Sequence, residues 1–197
     1  MLYSFKIEQA IRAAAVLHDG QTRKGAEPYP YITHLISVAF MLSDYGADED
    51  TIVAGLLHDT LEDTSYTPEE LEADFGADVR EIVEGVTDAL NAEREQYTWK
   101  ERQERYLKTL SLAPRPSLMI SAADKIHNMR SIVEEYSEQP HLFMKHFGRS
   151  IDDLTNKYDA LRLLFHERLD GGIVKEYDHV HVMFNKFLTT LKNEEAR

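Results

Sequence analysis

The stretch Ile52–Asp63, with the sequence IVAGLLHDTLED, constrains the fold more than any other segment of the chain. Its first half is apolar or small, and its second half carries one imidazole and three carboxylates. On a helix, residues four apart share a face, so His58 would lie over Glu62 and Asp59 over Asp63. Carboxylates crowded beside a buried run repel one another and are costly to desolvate without a compensating cation. The segment therefore predicts a buried helix whose acidic end binds a metal ion.

The length and composition are those of a globular domain. The 197 residues are enough for one domain with a sizeable core. No apolar run approaches the length of a membrane span, and the N-terminal residues lack the pattern of a signal peptide. The chain has no cysteine, which excludes disulfides and thiolate ligands, so nitrogen and oxygen must hold any metal. These features predict a cytoplasmic protein.

The net charge limits the partners that the protein can bind. It is −13 at pH 7, whereas nucleic acids and anionic membranes both require a basic surface. A small phosphorylated ligand remains compatible with this charge, because a metal ion and a few local cations could hold it. We therefore expect a small-molecule partner and neither nucleic acid nor membrane, while the oligomeric state stays open.

Capping residues and apolar periodicity predict helices along nearly the whole chain, and no segment reads as a strand. Capping boxes begin at Thr67 and Thr98, and Gly171-Gly172 divides two amphipathic helices near the C-terminal end. The predicted helices cover about 4–18, 32–45, 48–63, 67–76, 78–86, 98–110, 118–133 and two stretches within 141–191. The prediction is an all-α fold with one domain over 1–197, on which the helices of 141–191 pack.

Most of the nine histidines have no organised acidic partners, and we interpret these as surface or interhelix residues. They are His141, His146, His166, His179 and His181. His34, the His58-Asp59 pair and Asp124 differ, because each lies on a predicted helix with an apolar face. In this order they resemble the His…His-Asp…Asp pattern of the HD superfamily of metal-dependent phosphohydrolases.

Longer segments narrow the resemblance to the hydrolase domain of RelA/SpoT proteins, and above all to the stand-alone small alarmone hydrolases. The similar segments are HDGQTRKG (18–25), PYPYITH (28–34), LLHDTLEDT (56–64), FGADVREIVEGVTDA (75–89) and SAADKIHNMRSI (121–132). They cover roughly the first two-thirds of the chain. The resemblance implies a metal and nucleotide site within about 18–132.

The resemblance also assigns roles to individual residues. It implies that the metal ligands are His34, His58, Asp59 and Asp124. The ion implied is Mn²⁺, although two imidazoles and two carboxylates suit other divalent ions as well. Glu62 and Asp63 match the pair that positions and activates the attacking water. The expected substrate-binding residues are Arg23, Lys24, Asn128 and Ser131. His127 is expected either to support a ligand or to be structural.

The implied reaction is hydrolysis of the 3′-diphosphate of guanosine 3′,5′-bis(diphosphate) and its pentaphosphate relative, alarmones of the stringent response, with release of pyrophosphate. A metal ion would offset the phosphate charge and lower the pKa of water, and a carboxylate would take the proton.

Two alternatives remain open. The site could act on another nucleotide, such as an adenine alarmone or the 2′-phosphate of NADPH, or the protein could bind an alarmone without turnover. Pro30 lengthens the loop that flanks the expected base pocket, so the identity of the base is open. The role of the C-terminal third is open too.

Overall fold

The computed structural model describes residues 3–23, 28–90, 96–147 and 150–195. Within these ranges the chain forms helices and no strand, and the only β contact is an isolated bridge between Thr22 and Pro30. The helices are α1 (Phe5–Leu17), α2 (Ile32–Asp44), α3 (Glu49–Leu57), α4 (Thr60–Asp63), α5 (Pro68–Phe75), α6 (Ala77–Glu84), α7 (Trp99–Leu112), α8 (Arg115–Tyr136), α9 (Pro140–Phe147), α10 (Ile151–Arg168) and α11 (Gly172–Glu195). The predicted all-α class is confirmed.

Local capping explains where several helices begin. The side chain of Ser4 accepts the N–H of Ile7 at the start of α1, and Asp48 accepts the N–H of Thr51 at 2.9 Å at the start of α3. Both capping boxes form, at Thr67 before α5 and at Thr98 before α7. Each cap bonds an N–H group that the helix itself cannot satisfy, so a single residue sets each boundary.

The central segment is not the continuous helix that the pattern predicts, because α3 ends at Leu57 and α4 begins at Thr60. The Nδ1–H group of His58 donates to the carbonyl of Gly55 at 2.8 Å. The hydroxyl of Thr60 donates to the carbonyl of Leu57 at 2.6 Å. These side chains bond carbonyl groups that a continuing helix would bond with its own N–H groups. His58 and Asp59 therefore lie on a turn between two helices.

The C-terminal third also departs from the prediction. It contains three helices rather than two, because α9 is separate from α10. The Ser150 hydroxyl accepts the N–H of Asp153 at 3.1 Å and caps α10, so a serine in the sequence marks this additional helix start.

One cluster of buried hydrophobic side chains extends from Ile7 to Leu191 and joins the early helices to the late ones. Helix α8 lies at its centre and packs against α2, α3, α10 and α11. Helices α2 and α3 approach closely at Gly55, where an added Cβ would lie 2.4 Å from Cδ1 of Leu42. Helices α2 and α8 and the turn that follows α3 carry the residues that converge at the site described below. Among the described helices, none is both long and apolar enough to cross a bilayer.

Candidate active site

Four acidic and imidazole side chains from distant parts of the sequence converge between α2, α3 and α8, and we call them the HHDD cluster: His34, His58, Asp59 and Asp124. Nε2 of His58 lies 3.2 Å from Oδ2 of Asp59. Nε2 of His34 lies 3.3 Å from Oδ1 of Asp124 and 3.7 Å from Oδ2 of Asp59. The two imidazole rings meet edge to face, with centroids 5.3 Å apart.

The donor atoms of this cluster fit a divalent metal ion. Among the described residues, the Nε2 atoms of His34 and His58 are buried and have no hydrogen-bond partner. Buried polar atoms are rarely left without a partner, because the loss of hydration costs free energy. Because Nδ1 of His58 donates its proton to Gly55, the neutral imidazole would present the lone pair of Nε2 to a metal ion. One potential ligand atom from each of His34, His58 and Asp59 lies within 4.8 Å of the others, which is compact enough for one ion.

Asp124 lies next to His34, His58 and Asp59 and is held in place by residues of its own helix. Its Oδ1 approaches Nε2 of His34 and lies 4.0 Å from Nε2 of His58. The ammonium of Lys125 pairs with Oδ2, and the amide of Asn128 donates to Oδ1. Asp124 can therefore complete the set of oxygen ligands, and the position of its carboxylate depends on Lys125 and Asn128.

The histidine at position 127 contacts a member of the cluster. Its Nδ1 lies 3.0 Å from Nδ1 of His34, and the two rings are tilted against each other at 4.7 Å. Burial and the proximity of His34 lower the pKa of His127 to about 3, so its ring is neutral. A neutral His127 can accept the Nδ1–H of His34, and this arrangement leaves the lone pair of His34 on Nε2.

The charges of the cluster are strongly interdependent. Burial on its own lowers the pKa of His58, but the carboxylates of Asp59 and Asp124 raise it to about 9. Burial likewise opposes ionisation of Asp59, yet the charge of His58 holds the pKa of Asp59 below its usual range. A proton on His58 therefore offsets part of the carboxylate charge of the cluster, beside the ammonium of Lys125. A cation that binds at Nε2 displaces this proton, so metal binding and protonation compete.

The proposed catalytic pair lies directly after the turn. Glu62 and Asp63 belong to α4 and line a cavity of about 260 Å³, the small cavity, together with His58, Asp59 and Asp124. The carboxylate of Glu62 accepts the N–H of Asp88 at 2.7 Å, which fixes its orientation. The structure thus brings both predicted carboxylates to the cavity that the HHDD cluster lines.

A second cavity of about 750 Å³, the large cavity, holds three of the predicted substrate-binding residues, namely Arg23, Asn128 and Ser131. The guanidinium of Arg23 donates to the side-chain oxygen of Asn128, whose amide donates to Asp124. Asn128 therefore links the HHDD cluster to the wall of the large cavity. Lys24 lies outside the described residues.

The two cavities share part of their walls, and both extend beyond the predicted 18–132 region. Six residues line both, namely Tyr31, Asp63, Trp99, Arg102, Asn128 and Lys157. Leu154 and Tyr158 of α10 also line the large cavity. The C-terminal third therefore contributes wall residues, which the sequence analysis left open.

Tyr31 is a site residue that the sequence reasoning missed. Its hydroxyl donates to Oδ2 of Asp59, and its ring stacks on His18 with centroids 5.1 Å apart. His18 bonds the side chain of Gln21 at 2.8 Å, and Gln21 in turn donates to the carbonyl of Asp63 at 2.8 Å. All three residues lie in segments that resemble the alarmone hydrolases. Sequence similarity could have marked the segments, but only the structure reveals these contacts.

Comparison with known proteins agrees with this geometry. A family model described as "HD domain" matches residues 10–149. A guanosine-3′,5′-bis(diphosphate) 3′-pyrophosphohydrolase of Xenopus tropicalis is 40% identical over 139 residues, covering 68% of this chain and 75% of that protein. A GTP pyrophosphokinase of Streptomyces coelicolor is 40% identical over 127 residues, covering 64% of this chain but 15% of that protein. The chain thus spans about a seventh of the length of such long relatives.

A solved structure extends the similarity over most of the fold. It is a metazoan ortholog of SpoT, described as hydrolyzing ppGpp, with a TM-score of 0.75 and 25% identity. The match covers 90% of this chain and 94% of that protein. The HD model matches well over half of this chain, and the aligned region covers three quarters of the Xenopus protein. This chain therefore belongs to the HD domain family, among the relatives of SpoT.

Proposed function

We propose that the protein is a metal-dependent hydrolase that removes the 3′-diphosphate from guanosine 3′,5′-bis(diphosphate) and from its pentaphosphate relative. The observation that carries this proposal is the position of Glu62 and Asp63 in one cavity with His58, Asp59 and Asp124. The names of the Xenopus relative and of the metazoan ortholog of SpoT, both hydrolases of guanosine bis(diphosphate), support the same substrate.

The HHDD cluster would hold the metal ion, and we propose Mn²⁺ as its occupant. Hydrolases with an HD domain depend on a metal, and the two Nε2 atoms of the cluster and the carboxylates beside them suit a divalent ion that accepts both nitrogen and oxygen. Such an ion offsets phosphate charge and lowers the pKa of a water molecule towards neutrality.

The residues of the chain supply the remaining chemistry. The carboxylate of Glu62, anchored by the N–H of Asp88, takes a proton from the attacking water, while Asp63 orients that water. The water oxygen forms a bond to the phosphorus next to the 3′-oxygen, and the bond between that phosphorus and the 3′-oxygen breaks. The 3′-oxygen keeps the electron pair and takes a proton from solvent. The products are pyrophosphate and a nucleotide with a free 3′-hydroxyl.

The nucleotide would occupy the large cavity, with Arg23, Asn128 and Ser131 as its contacts. Lys24 stays in this proposal through the resemblance of the segment HDGQTRKG. A planar guanidinium can bind phosphate and also stack on a base, which an ammonium does less well. We further propose that 1–197 forms one domain, because a single buried core joins its early and late helices.

The alternatives differ in their products, so one assay separates them. Purified protein is freed of metal with a chelator, reloaded with Mn²⁺ and given guanosine bis(diphosphate), its adenine counterpart or NADPH. We expect pyrophosphate from the guanosine compound, resolved by anion exchange. Orthophosphate from NADPH at a higher kcat/KM would replace the proposed substrate, and binding of the alarmone without any product would make the protein a sensor.

A further inference from the structure

Lys157 of α10 lines both cavities from outside the matched HD region. The HD model ends at residue 149, so the family match assigns nothing to this position. The side chain is partly buried. Among the described residues, its ammonium has no hydrogen bond and no carboxylate within ion-pair distance, and it lies 5.8 Å from the centroid of the neighbouring Tyr158 ring.

The other cations of the same walls all have partners. Lys125 pairs with Asp124, the guanidinium of Arg23 bonds Asn128, and Arg102 lies 3.4 Å from a carboxylate oxygen of Asp88. The positive charges of Lys125 and Arg23 are therefore committed to holding the HHDD cluster and its neighbours. Lys157 differs, because no described hydrogen-bond acceptor or carboxylate pairs with its ammonium.

The surroundings make this charge costly to keep. Burial lowers the pKa of Lys157 to about 7, and the nearby ammonium of Lys125 acts in the same direction. The carboxylates of Asp124, Glu62 and Asp88 raise the pKa but do not compensate. A partly desolvated cation without a protein partner destabilises the fold unless a ligand supplies the opposite charge. Lysines in such settings are frequent in functional sites.

We propose that Lys157 binds phosphate oxygens of the substrate where the small and large cavities meet. The inference rests on the proposed function, since it names a further contact of that substrate. Guanosine bis(diphosphate) offers two sources of such oxygens, the 3′-diphosphate that is removed and the 5′-diphosphate that is retained. Both carry terminal phosphate groups, and an ammonium suits either one as a compact point charge.

The two products of the reaction separate these sources without any turnover. Calorimetry with Mn²⁺-loaded protein measures the Kd of inorganic pyrophosphate and of GDP for the wild type, for Lys157→Met and for Lys157→Arg. The control is Lys186→Met on the exposed face of α11. We expect Lys157→Met to raise the Kd of one of the two products at least tenfold. Lys157→Arg should restore most of the lost affinity, and Lys186→Met should change neither Kd more than twofold.

Weaker binding of pyrophosphate would assign Lys157 to the 3′-diphosphate, and weaker binding of GDP would assign it to the 5′-diphosphate. Either result supports the proposal. Kd values within twofold of the wild type for both products in Lys157→Met would overturn it, and so would a wild type that binds neither product. Because pyrophosphate and GDP bind without being hydrolysed, lack of activity on guanosine bis(diphosphate) would instead refute the proposed function.

Two further readouts distinguish binding from a structural role. Methionine removes a charge that has no ion-pair partner among the described residues, so Lys157→Met should raise the Tm of the ligand-free protein, whereas loss of a structural contact would lower it. Between pH 6 and pH 8.5 the wild type should lose affinity relative to Lys157→Arg, because the lysine deprotonates and the arginine does not. A lower Tm together with parallel pH profiles would make Lys157 structural.

Discussion

The hydroxyl of Tyr31 donates a hydrogen bond across 2.5 Å to Oδ2 of Asp59, although 28 positions separate the two residues. The same Oδ2 atom lies 3.2 Å from Nε2 of His58. Burial, followed by the charge of Asp59, raises the pKa of Tyr31 far above its usual range, so the phenol stays a donor throughout the physiological range. Tyr31 therefore holds the Asp59 carboxylate in the orientation that places its oxygen beside the imidazole.

Replacing Tyr31 with phenylalanine tests this relationship. Partners of metal ligands typically contribute about 10- to 100-fold to metal affinity, so we expect Tyr31→Phe to weaken Mn²⁺ binding by roughly tenfold. Titration with the metal measures the change. The matched control is Tyr29→Phe, which removes a hydroxyl bonded to Glu135 instead. Equal metal affinity in Tyr31→Phe and the wild type would mean that this hydrogen bond does not orient a ligand.

The metal assignment predicts a combined loss in His58→Ala. We expect activity and bound Mn²⁺ to disappear together, because the alanine removes one of the two imidazole Nε2 atoms of the HHDD cluster. A metal at a hundred times its Kd stabilises a folded protein by about 2.7 kcal/mol, so the Mn²⁺-dependent rise in Tm should vanish too. Metal analysis and thermal unfolding with and without Mn²⁺ measure these effects. His179→Ala, on the exposed side of α11, is the control. Full metal occupancy in His58→Ala would remove His58 from the site.

Variants of the two α4 carboxylates should lose catalysis while keeping metal and nucleotide binding. In Glu62→Gln and Asp63→Asn we expect kcat to fall by about 10²- to 10⁴-fold, the range of a lost general base. Metal content and the Kd of GDP should stay within about twofold of the wild type, because these residues would act on the water. Glu69→Gln, on an exposed face of α5, controls for loss of one negative charge. Parallel loss of metal and activity would make Glu62 or Asp63 a ligand.

Arg23 should affect the nucleotide and not the metal. Its guanidinium bonds Asn128 and lies 5.5 Å from the centroid of the Tyr31 ring, at the wall of the large cavity. We expect Arg23→Ala to raise KM at least tenfold with unchanged Mn²⁺ content, as judged by steady-state kinetics and metal analysis. Arg12→Ala, on the exposed face of α1, removes the same charge far from the cavities. Normal KM and kcat in Arg23→Ala would leave the base pocket unlocated.

The cap of α3 predicts a pH-dependent contribution to stability. Hydrogen bonds from the hydroxyl and the N–H of Thr51 hold the pKa of Asp48 below its usual value. A lowered folded-state pKa means that the stabilisation is present above the unfolded pKa of about 3.9 and is lost as the pH falls through the folded value. We expect Asp48→Ala to cost about 1 kcal/mol at pH 7, a typical value for an N-cap. Urea unfolding at pH 7 and pH 3 should show a smaller difference at the lower pH, and a difference independent of pH would contradict the ionised cap.

Helix starts could be predicted residue by residue, because each depends on contacts only three positions apart. Ser4, Asp48, Thr67 and Thr98 all cap the helices that follow them. The end of α3 could not be predicted in this way. Apolar periodicity continues through Leu61, whereas the side chains of His58 and Thr60 take the carbonyl groups that would extend the helix. Local competition for a few hydrogen bonds outweighed the periodic pattern.

The sequence by itself determined the helical class and, through its resemblance to alarmone hydrolases, the residues to examine. Only the tertiary structure decided how those residues meet, since His34 and His127 touch across 93 positions and Arg23 and Asn128 across 105. Lys157 shows the difference most clearly. In the sequence it lies among polar residues of an amphipathic helix and resembles a solvated face. Packing places its side chain at the walls of two cavities, because contacts between distant helices depend on three-dimensional packing that no local pattern encodes.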